Sequence, residues 1–481
     1  MGVGVSSWRL ARAVATRGHL GVVSGVALDS VLVRRLQGGD ADGVLRRAIA
    51  EFPIPEIAED VLTRFLRVAG SGGRRYRLLP MQTHRSGAAR NDVTVLGAFV
   101  EVTLAKEGHG NPVGINLLTK VQLPTLATLY GAMLAGVDYV LMGAGIPREI
   151  PGILDALAAG RPATLRLDVT GADRDAAPVL RLDPARYGTT PHLRRPEFLP
   201  IVSSHTLATM LARKSTGAVA GFIVEAPIAG GHNAPPRGTP TYDDDGQPIY
   251  GERDHVDLEV MRGLGLPFWL AGGMSTPEKV IEAEEHGAAG VQVGSLFAYC
   301  NESGIAPELR RAVIDQVCAG QVRVHTDPVA SSTGYPFKVV TVPGTGSEHD
   351  VYQARTRICD LGYLREAYVD PKGGVGYRCS AEPVNVYVGK GGLLEDTIGR
   401  KCLCNGLTAT IGLGQVQKGG APEPPLVTSG DELTALRTLT GDDGHNYSAS
   451  DVIDYLLPVR PAAASSAPGP SLPSTAQQRR R

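Results

Sequence analysis

From Pro112 onward, short apolar runs alternate with amphipathic stretches, and this alternation limits the possible folds more than any other feature of the sequence. The runs have the length of buried strands, and the stretches between them are long enough for helices. Glycine turns follow several of the runs. A strand–helix repeat over roughly 300 residues indicates parallel βαβ units, and this length favours a (β/α)8 TIM barrel over an open sheet. The predicted fold class is α/β.

Seven apolar runs are convincing barrel strands, and they are Leu20–Ser24, Pro112–Leu118, Val137–Gly143, Phe198–Ser203, Val219–Glu225, Pro267–Ala271 and Ala289–Val293. Thr164–Val169 is a further strand candidate. The predicted helices are Ser7–Thr16, Asp29–Gln37, Pro55–Val68, Pro124–Ala135, Arg148–Ala159, His205–Lys214, Pro277–His286 and one that begins at Ser295.

A barrel of this type needs eight strands, and the first one is missing from the pattern. Either the true start lies upstream of Met1, or the strand-like run Leu96–Leu104 closes the barrel. We favour the first explanation, because barrel strands seldom begin without a leading apolar run. Without an eighth strand two strand edges stay unpaired, which should lower stability.

Composition divides the chain into three parts. Residues 1–320 are predicted to form the barrel, with a surface insertion near residues 171–196 that is rich in Asp, Arg and Pro. Residues 321–457 are irregular, contain four cysteines and are predicted to pack on the barrel as a C-terminal extension. Residues 458–481 are rich in Ala, Ser and Pro, a composition that cannot bury a core, so we expect this tail to be disordered.

The charge balance argues against nucleic acid as a partner. The chain has 48 Lys and Arg against 49 Asp and Glu, whereas general nucleic-acid binding needs a basic excess. No apolar run is long enough to cross a membrane, and the amino end has no signal-peptide h-region. We therefore expect a cytoplasmic protein, in which the 6 cysteines are more often thiols or metal ligands than disulfides.

The stretch from Val219 to Gly238 places ionisable groups at the end of one predicted strand. The strand ends at the carboxylate of Glu225, and the turn Gly230-Gly231-His232 follows. Glycines let the backbone approach a flat or phosphorylated ligand, and a histidine can move protons near neutral pH. This arrangement is typical of an α/β active site. His232 is the predicted catalytic residue, and the loop Asn233–His255 is expected to shape the pocket.

Two neighbouring strand-to-helix turns contain glycines. Gly272-Gly273 follows one predicted strand, and Gly294-Ser295 follows the next. Neighbouring turns in a barrel lie side by side, so their N–H groups and two helix ends would meet as a phosphate site. The alternative is that these glycines only make tight turns. Asn116, late in another predicted strand, either meets a ligand or caps its turn.

Four of the cysteines lie in the irregular segment, and they are Cys359, Cys379, Cys402 and Cys404. Four thiols in one segment could ligate zinc or an iron–sulfur cluster. Their spacing is not the paired C-x-x-C form, so buried reduced thiols remain the alternative. Cys300 and Cys318 are predicted to be core residues on helices.

In chain order, the segments GVS, LARAVA, GHLGVVSG, GINLL, VEAPIAGGH, LAGGM and VQVGSLF resemble the nitronate monooxygenase (2-nitropropane dioxygenase-like) family of FMN-dependent barrels. The similarity covers residues 1 to about 300. HNAPPRG, GERD and the cysteine-bearing segment are more similar to a longer subgroup, which includes the stand-alone enoyl reductases of polyunsaturated fatty acid and polyketide synthases. There the similarity reaches about Leu457.

The resemblance implies FMN as the cofactor. Its phosphate would bind at Gly272, Gly273, Gly294 and Ser295. Its ring would lie against Gly4, Val5 and Asn116, with Glu225 and Gly231 also at the cofactor site. His232 would be the active-site histidine, which acts as a base toward the nitro substrate or holds its anion.

Two positions depart from the family pattern. The family has glutamine at the position of Glu225 and usually an acidic residue at the position of Ile228. A carboxylate near the flavin would oppose the negative charge that nitronate oxidation places on it. This departure bears on the nitronate reaction and not on the FMN assignment.

Three functions remain open. The favoured one is nitronate monooxygenase-like oxidation of alkyl nitronates with O2. The second is NAD(P)H-dependent reduction of an enoyl thioester, with an acyl carrier protein as partner, for a fatty acid or polyketide synthase. The third is a non-catalytic scaffold with a metal-bearing module. A homodimer is also expected, since barrels of this kind often pair.

Overall fold

The computed structural model describes residues 2–67, 75–188, 192–441, 444 and 446–458. The tail predicted to be disordered lies outside these residues except for Pro458. The strands in chain order are β1 (Gly21–Ser24), β2 (Val113–Leu118), β3 (Tyr139–Gly143), β4 (Ala163–Arg166), β5 (Val169–Thr170), β6 (Val179–Leu182), β7 (Glu197–Val202), β8 (Phe222–Glu225), β9 (Phe268–Ala271), β10 (Gly290–Gln292), β11 (Val324–Asp327), β12 (Phe337–Val340), β13 (Glu366–Val369) and β14 (Val375–Arg378).

The α-helices in chain order are α1 (Trp8–Thr16), α2 (Leu28–Gln37), α3 (Val44–Ala50), α4 (Pro55–Phe65), α5 (Ala88–Lys106), α6 (Thr125–Leu134), α7 (Ile150–Ala158), α8 (His205–Lys214), α9 (Leu258–Gly263), α10 (Pro277–Glu285), α11 (Ser295–Ala298), α12 (Pro307–Cys318), α13 (His349–Ala354), α14 (Val384–Gly389), α15 (Leu403–Thr410), α16 (Leu436–Thr440) and α17 (Ala449–Leu456). Short 3-10 helices lie at Arg174–Ala176, Pro184–Tyr187, Glu252–Asp254 and Glu395–Thr397. Among the described residues, no helix is both long and apolar enough to cross a bilayer.

A parallel sheet of seven strands forms the centre of the molecule, in the order β1-β2-β3-β7-β8-β9-β10. The pairs are all parallel, as expected when helices connect successive strands. All seven predicted barrel strands are present. A closed ring of eight is not formed by the residues that the structure describes, since β10 and β1 do not pair. The confirmed fold is thus mixed α/β with a seven-stranded parallel sheet.

The sheet curls around a small apolar core. Val22 of β1 and Trp269 of β9 pack into one cluster with Leu141, Leu199 and Ile223 from the strands between them. β1 and β9 are the first and sixth strands of the sheet. Their side chains can share one core only if the sheet is strongly curved. Alternate side chains point outward, where the covering helices bury them in larger clusters.

The strand prediction for Leu96–Leu104 is wrong, because this run lies inside the 19-residue helix α5. The helix is buried on nearly every side, so its sequence reads as a continuous apolar run without a helical period. Its Gly97 lies so near α2 that an added Cβ would come 2.8 Å from the carbonyl oxygen of Leu28. A buried helix and a buried strand share this pattern, and only the packing distinguishes them.

The run predicted as Thr164–Val169 does form strands, but outside the central sheet. β4 pairs antiparallel with β6, and β5 pairs with β13 of the C-terminal segment. The expected insertion therefore contributes β6 to a hairpin on the side of the molecule.

Residues from both ends of the chain meet at the carboxyl edge of the sheet. The amide of Ser24 donates to the carbonyl of Ser6 at 2.8 Å, and the amide of Gly304 donates to the carbonyl of Val5 at 2.8 Å. In the C-terminal segment, the amide of Lys338 donates to the carbonyl of Gly231 at 3.0 Å. Residues beyond 320 thus contact the loop that follows β8. The domain boundaries themselves remain a prediction.

Candidate functional site

Four polar side chains point inward at the carboxyl end of the curled sheet: Ser24, Asn116, Glu225 and Gln292. Ser24 is paired with Asn116, while Ala271 is paired with both Glu225 and Gln292. Paired residues share a face, and Ala271 belongs to the inner core. The buried Ser24 hydroxyl has no hydrogen-bond partner among the described residues. Asn116 and Glu225 were predicted site residues; Ser24 and Gln292 were missed, although each lies at a strand end.

Glu225 lines a small cleft where β8 ends. Burial disfavours its ionised form and raises the pKa of this carboxyl to about 7. The remaining lining residues are Ser203, Ala226, Pro227, Asn233, Ala234, Pro235, Arg237, Tyr250 and Asp254. The cavity volume of about 20 Å³ holds about one water molecule, so a larger ligand requires the covering loop to move.

Residues of the polar loop Asn233–His255 form one side of this cleft. Arg237 holds the loop in place: its Nη2 donates to the carbonyl of Ser203 at 2.5 Å, and its backbone amide donates to Asp254 Oδ1 at 2.9 Å. The Tyr250 hydroxyl donates to the carbonyl of Ala234 at 3.0 Å. Neither Arg237 nor Tyr250 was predicted, because one polar loop residue looks like any other in sequence.

His232 precedes Asn233 in the chain and packs against the C-terminal hairpin of β11 and β12. Its Nε2 is 2.7 Å from Ser331 Oγ, and its ring packs edge-on to Phe337 with centroids 4.8 Å apart. Burial lowers the pKa of His232 to about 4, so the imidazole is neutral at neutral pH. His232 does not line the Glu225 cleft. Its partner Ser331 lies 99 positions away, and no motif pointed to it.

The two glycine turns lie next to each other, because β9 and β10 are paired. Gly272 and Gly273 have φ of +88° and +73°, and a Cβ on Gly273 would come 2.5 Å from Ile228 Cδ1. Because these two glycines have no side chain, the loop after β8 can pack closely against their turn. A Cβ on Gly294 would meet nothing within 4 Å, so this turn faces open space. The helix that follows this second turn, α11, is short, with only four residues.

A C-terminal strap, residues 428–431, contacts the Gly294-Ser295 turn and the loop after β8. The Gly430 amide donates to Ser295 Oγ at 2.9 Å, and the Gly231 amide donates to Thr428 Oγ1 at 3.1 Å. An accepting serine hydroxyl keeps its own proton and can still donate to a phosphate oxygen. Gly294 and Ser295 thus fit a phosphate, whereas Gly272 and Gly273 lie behind Ile228. The sequence did not predict this strap.

Gly4 and Val5 lie at the carboxyl edge of the sheet beside the end of β1. Gly4 has φ +59°, and an added Cβ would lie 2.8 Å from Ile411 Cδ1. The carbonyl of Val5 accepts from Gly304. This places both residues at the same end of the sheet as Asn116, with Gly4 packed on the C-terminal segment.

The four cysteines of the C-terminal segment, Cys359, Cys379, Cys402 and Cys404, line one cavity. None of them forms a disulfide. A hydrogen bond from Cys359 lowers the pKa of Cys379 to about 7, and burial raises that of Cys402 to about 11. Across the part of the chain that the structure describes, no group of three or more His, Cys, Asp or Glu side chains is placed to hold a single metal ion.

The other two cysteines differ in part from their predicted positions. Cys300 is fully buried, but it follows α11 instead of lying on a helix. Cys318 ends α12 and is exposed, so its assignment to the core is wrong.

No protein-family model and no curated protein matches this chain. Among solved structures it is similar to FabK from Thermotoga maritima, at 15% identity and a TM-score of 0.44, covering 94% of this chain and 88% of that one. It is also similar to nitroalkane oxidase from Streptomyces ansochromogenes, at 14% identity and a TM-score of 0.45, covering 95% and 92%.

A third similar structure is the enoyl reductase domain of MlnA from the macrolactin biosynthesis cluster of Bacillus amyloliquefaciens. Its identity is 14% and its TM-score is 0.35, with 74% of this chain and 66% of that chain covered.

Proposed function

We propose that this protein is an FMN-dependent oxidoreductase of the nitronate monooxygenase type, which oxidises alkyl nitronates with O2. The proposal treats the curled sheet as a (β/α)8-type barrel. One observation carries it: β8 leads into both the carboxyl of Glu225 and the turn with His232, at the carboxyl end of the sheet. That end is where parallel α/β sheets bind ligands.

The polar groups at this end support FMN as the cofactor. Gly294 and Ser295 would hold its phosphate, since the first faces open space and the second keeps a proton to donate. Gly4, Val5 and Asn116 would lie along its ring, and the unpartnered Ser24 hydroxyl could bond to a ring heteroatom. Bound FMN would supply the acceptor for substrate electrons.

His232 would receive the proton of a nitroalkane or hold the nitronate anion by a hydrogen bond. Because burial lowers its pKa to about 4, the ring is unprotonated at neutral pH and can act as a base. The Ser331 hydroxyl at 2.7 Å fixes the ring orientation. The raised pKa of Glu225 keeps much of this carboxyl protonated near pH 7, which weakens the charge repulsion expected from an acidic residue here.

The test is an absorption spectrum of the purified protein followed by ethylnitronate turnover, read as nitrite release and oxygen uptake. We expect a flavin spectrum and turnover well above that of free FMN. His232→Asn should lose most of the turnover, and His286→Asn, an exposed control at the end of α10, should not. Protein without flavin, or turnover no faster than free FMN, would refute the proposal.

Enoyl-thioester reduction is the second candidate, and Glu225 is the observation that favours it. A carboxyl with a pKa of about 7 can give a proton to substrate carbon at neutral pH, as buried general acids do. NADPH would be the electron donor, and an acyl carrier protein the partner. Anaerobic bleaching of the flavin by NADPH, followed by reoxidation with an enoyl thioester, would favour this reaction. A flavin that stays oxidised would exclude it.

A further inference from the structure

An ion pair between Lys338 and Asp431 joins the C-terminal hairpin to the strap that contacts Ser295. Lys338 belongs to β12, and its side chain is only 2% exposed. Its Nζ donates to Asp431 Oδ2 at 2.8 Å and to Thr326 Oγ1 at 2.6 Å. Lysine is seldom buried this deeply, and apolar residues in place of a buried ion pair often give a more stable protein. Packing alone therefore does not account for this lysine.

The strap is anchored to β12 at both of its ends. Asp431 is its last residue, and the carboxylate of Asp431 is bonded to Lys338. Just before the strap begins, the carbonyl of Val427 accepts from the amide of Val340 at 2.9 Å. Lys338 and Val340 lie two positions apart on β12. The first anchor depends on side chains, so a substitution can release that end of the strap and leave the other end attached.

Gly430 brings the strap into contact with the turn at Ser295. The Gly430 amide donates to Ser295 Oγ at 2.9 Å. The approach is close, because an added Cβ on Gly430 would lie 2.9 Å from that oxygen, and one on Gly230 would lie 2.7 Å from the Gly430 nitrogen. Hydrogen bonds weaken steeply when they lengthen or bend. A small displacement of the strap would therefore break its bond to Ser295.

This bond determines where the Ser295 hydroxyl can send its proton. A serine side chain has three staggered positions, and its hydroxyl readily bonds to nearby backbone groups. When Ser295 Oγ accepts from the Gly430 amide, the hydroxyl is held in one position and keeps its proton for another acceptor. A donor that is already oriented binds its ligand more tightly, since less conformational freedom is lost on binding.

We propose that the ion pair of Lys338 and Asp431 positions Ser295 for the phosphate of FMN. The pair thereby makes the site prefer FMN to riboflavin, which has the same ring and no phosphate. This inference rests on the proposed function, in which Gly294 and Ser295 hold the phosphate. Lys338 and Asp431 act through the strap and are positioning residues.

Flavin titration of the full-length protein, freed of bound flavin, provides the test, with fluorescence quenching giving the Kd of FMN and of riboflavin separately. Asp431→Ala should raise the Kd of FMN about tenfold, which corresponds to about 1.4 kcal/mol, and should leave the Kd of riboflavin nearly unchanged. Asp431→Asn keeps one acceptor oxygen and should have a smaller effect in the same direction. Glu432→Ala is the matched control, because Glu432 is the exposed acidic neighbour of Asp431; it should bind both flavins as wild type does.

A double-mutant cycle with Ser295→Ala tests whether Asp431 acts through Ser295. Ser295→Ala should produce the same selective loss of FMN affinity. The double variant with Asp431→Ala should then bind FMN little more weakly than Ser295→Ala does, since residues that act through one contact do not have additive effects.

Three results would overturn the proposal: equal weakening of FMN and riboflavin binding in Asp431→Ala, unchanged FMN affinity in that variant, or fully additive effects in the double variant. Circular dichroism shows whether each variant is folded, and if Asp431→Ala is not, the comparison of Asp431→Asn with wild type decides. Wild-type protein that binds no FMN would refute the proposed cofactor as well. FMN binding with unchanged selectivity in the variants would refute only the positioning role, so the two failures are distinguishable.

Discussion

Replacing Glu225 with glutamine should stabilise the protein at alkaline pH and should do so much less at acid pH. The carboxyl has a pKa raised by burial from 4.5 to about 7. A carboxyl whose pKa is raised in the folded state lowers stability as the pH climbs from the unfolded value to the folded one, and the full cost is present above the folded pKa. Glutamine has nearly the same shape and no charge to bury.

The size of the effect follows from the pKa. At 1.36 kcal/mol for each pKa unit, the ionised carboxylate destabilises the folded protein by up to about 3 kcal/mol above pH 7. Part of the side chain faces the cleft, where solvent reduces this cost, so we expect the Glu225→Gln variant to gain about 1–3 kcal/mol at pH 8. At pH 4.5 the wild-type carboxyl remains protonated when folded, and most of the difference should vanish.

Urea unfolding at pH 4.5, 6 and 8 measures this difference as a shift of the midpoint, with the slope as a check that the same surface is exposed. Glu252→Gln serves as the control, because Glu252 is exposed on the loop that covers the cleft. It should change the midpoint little at any pH. Equal stability of Glu225→Gln and wild type at pH 8, or a gain that does not depend on pH, would refute the reasoning about burial.

Burial lowers the pKa of His232 to about 4, so its effect on stability runs opposite to that of Glu225. Wild type should lose stability as the pH falls from 6.5 toward 4, and His232→Asn should lose less in the same urea series. Glu423→Gln should cost about 3–5 kcal/mol in thermal unfolding, since it leaves the buried Arg355 without its ion-pair partner. Gly273→Ala should cost more than Gly265→Ala, because both glycines have positive φ but only Gly273 has a side chain within 2.5 Å of its added Cβ; equal losses would mean that the loop gives way freely.

The strands of the central sheet were predictable from the sequence because each is apolar and ends at a glycine or polar turn. Val219–Glu225 and Ala289–Val293 overlap β8 and β10. Such runs repeat with helical stretches of the right length between them, so strand order followed from the usual parallel connection. The helix α5 escaped prediction since burial on all sides removes the periodic pattern that marks a surface helix.

Within the candidate site, the sequence could bring together only the residues on β8 and in the turn that follows it. Glu225 and His232 are close in sequence, so both could be assigned to the end of β8. The contacts around them join distant parts of the chain: Ser331, which contacts the histidine, lies 99 positions from it, and Arg237 bonds to Ser203, 34 positions away. Contacts between residues far apart in the chain leave no local sequence pattern, because the number of residues between the two partners is not fixed.

The sequence by itself determined the α/β class, the seven parallel strands and the residue types at their carboxyl ends, since local periodicity and turn chemistry decide these features. The tertiary structure alone decided that Ile228 packs on Gly273, that residues 428–431 bond to Ser295 and Gly231, and that four thiols line one cavity. These depend on how the C-terminal segment docks on the sheet. That docking is set by many weak contacts between residues far apart in the chain, and no short stretch of sequence encodes it.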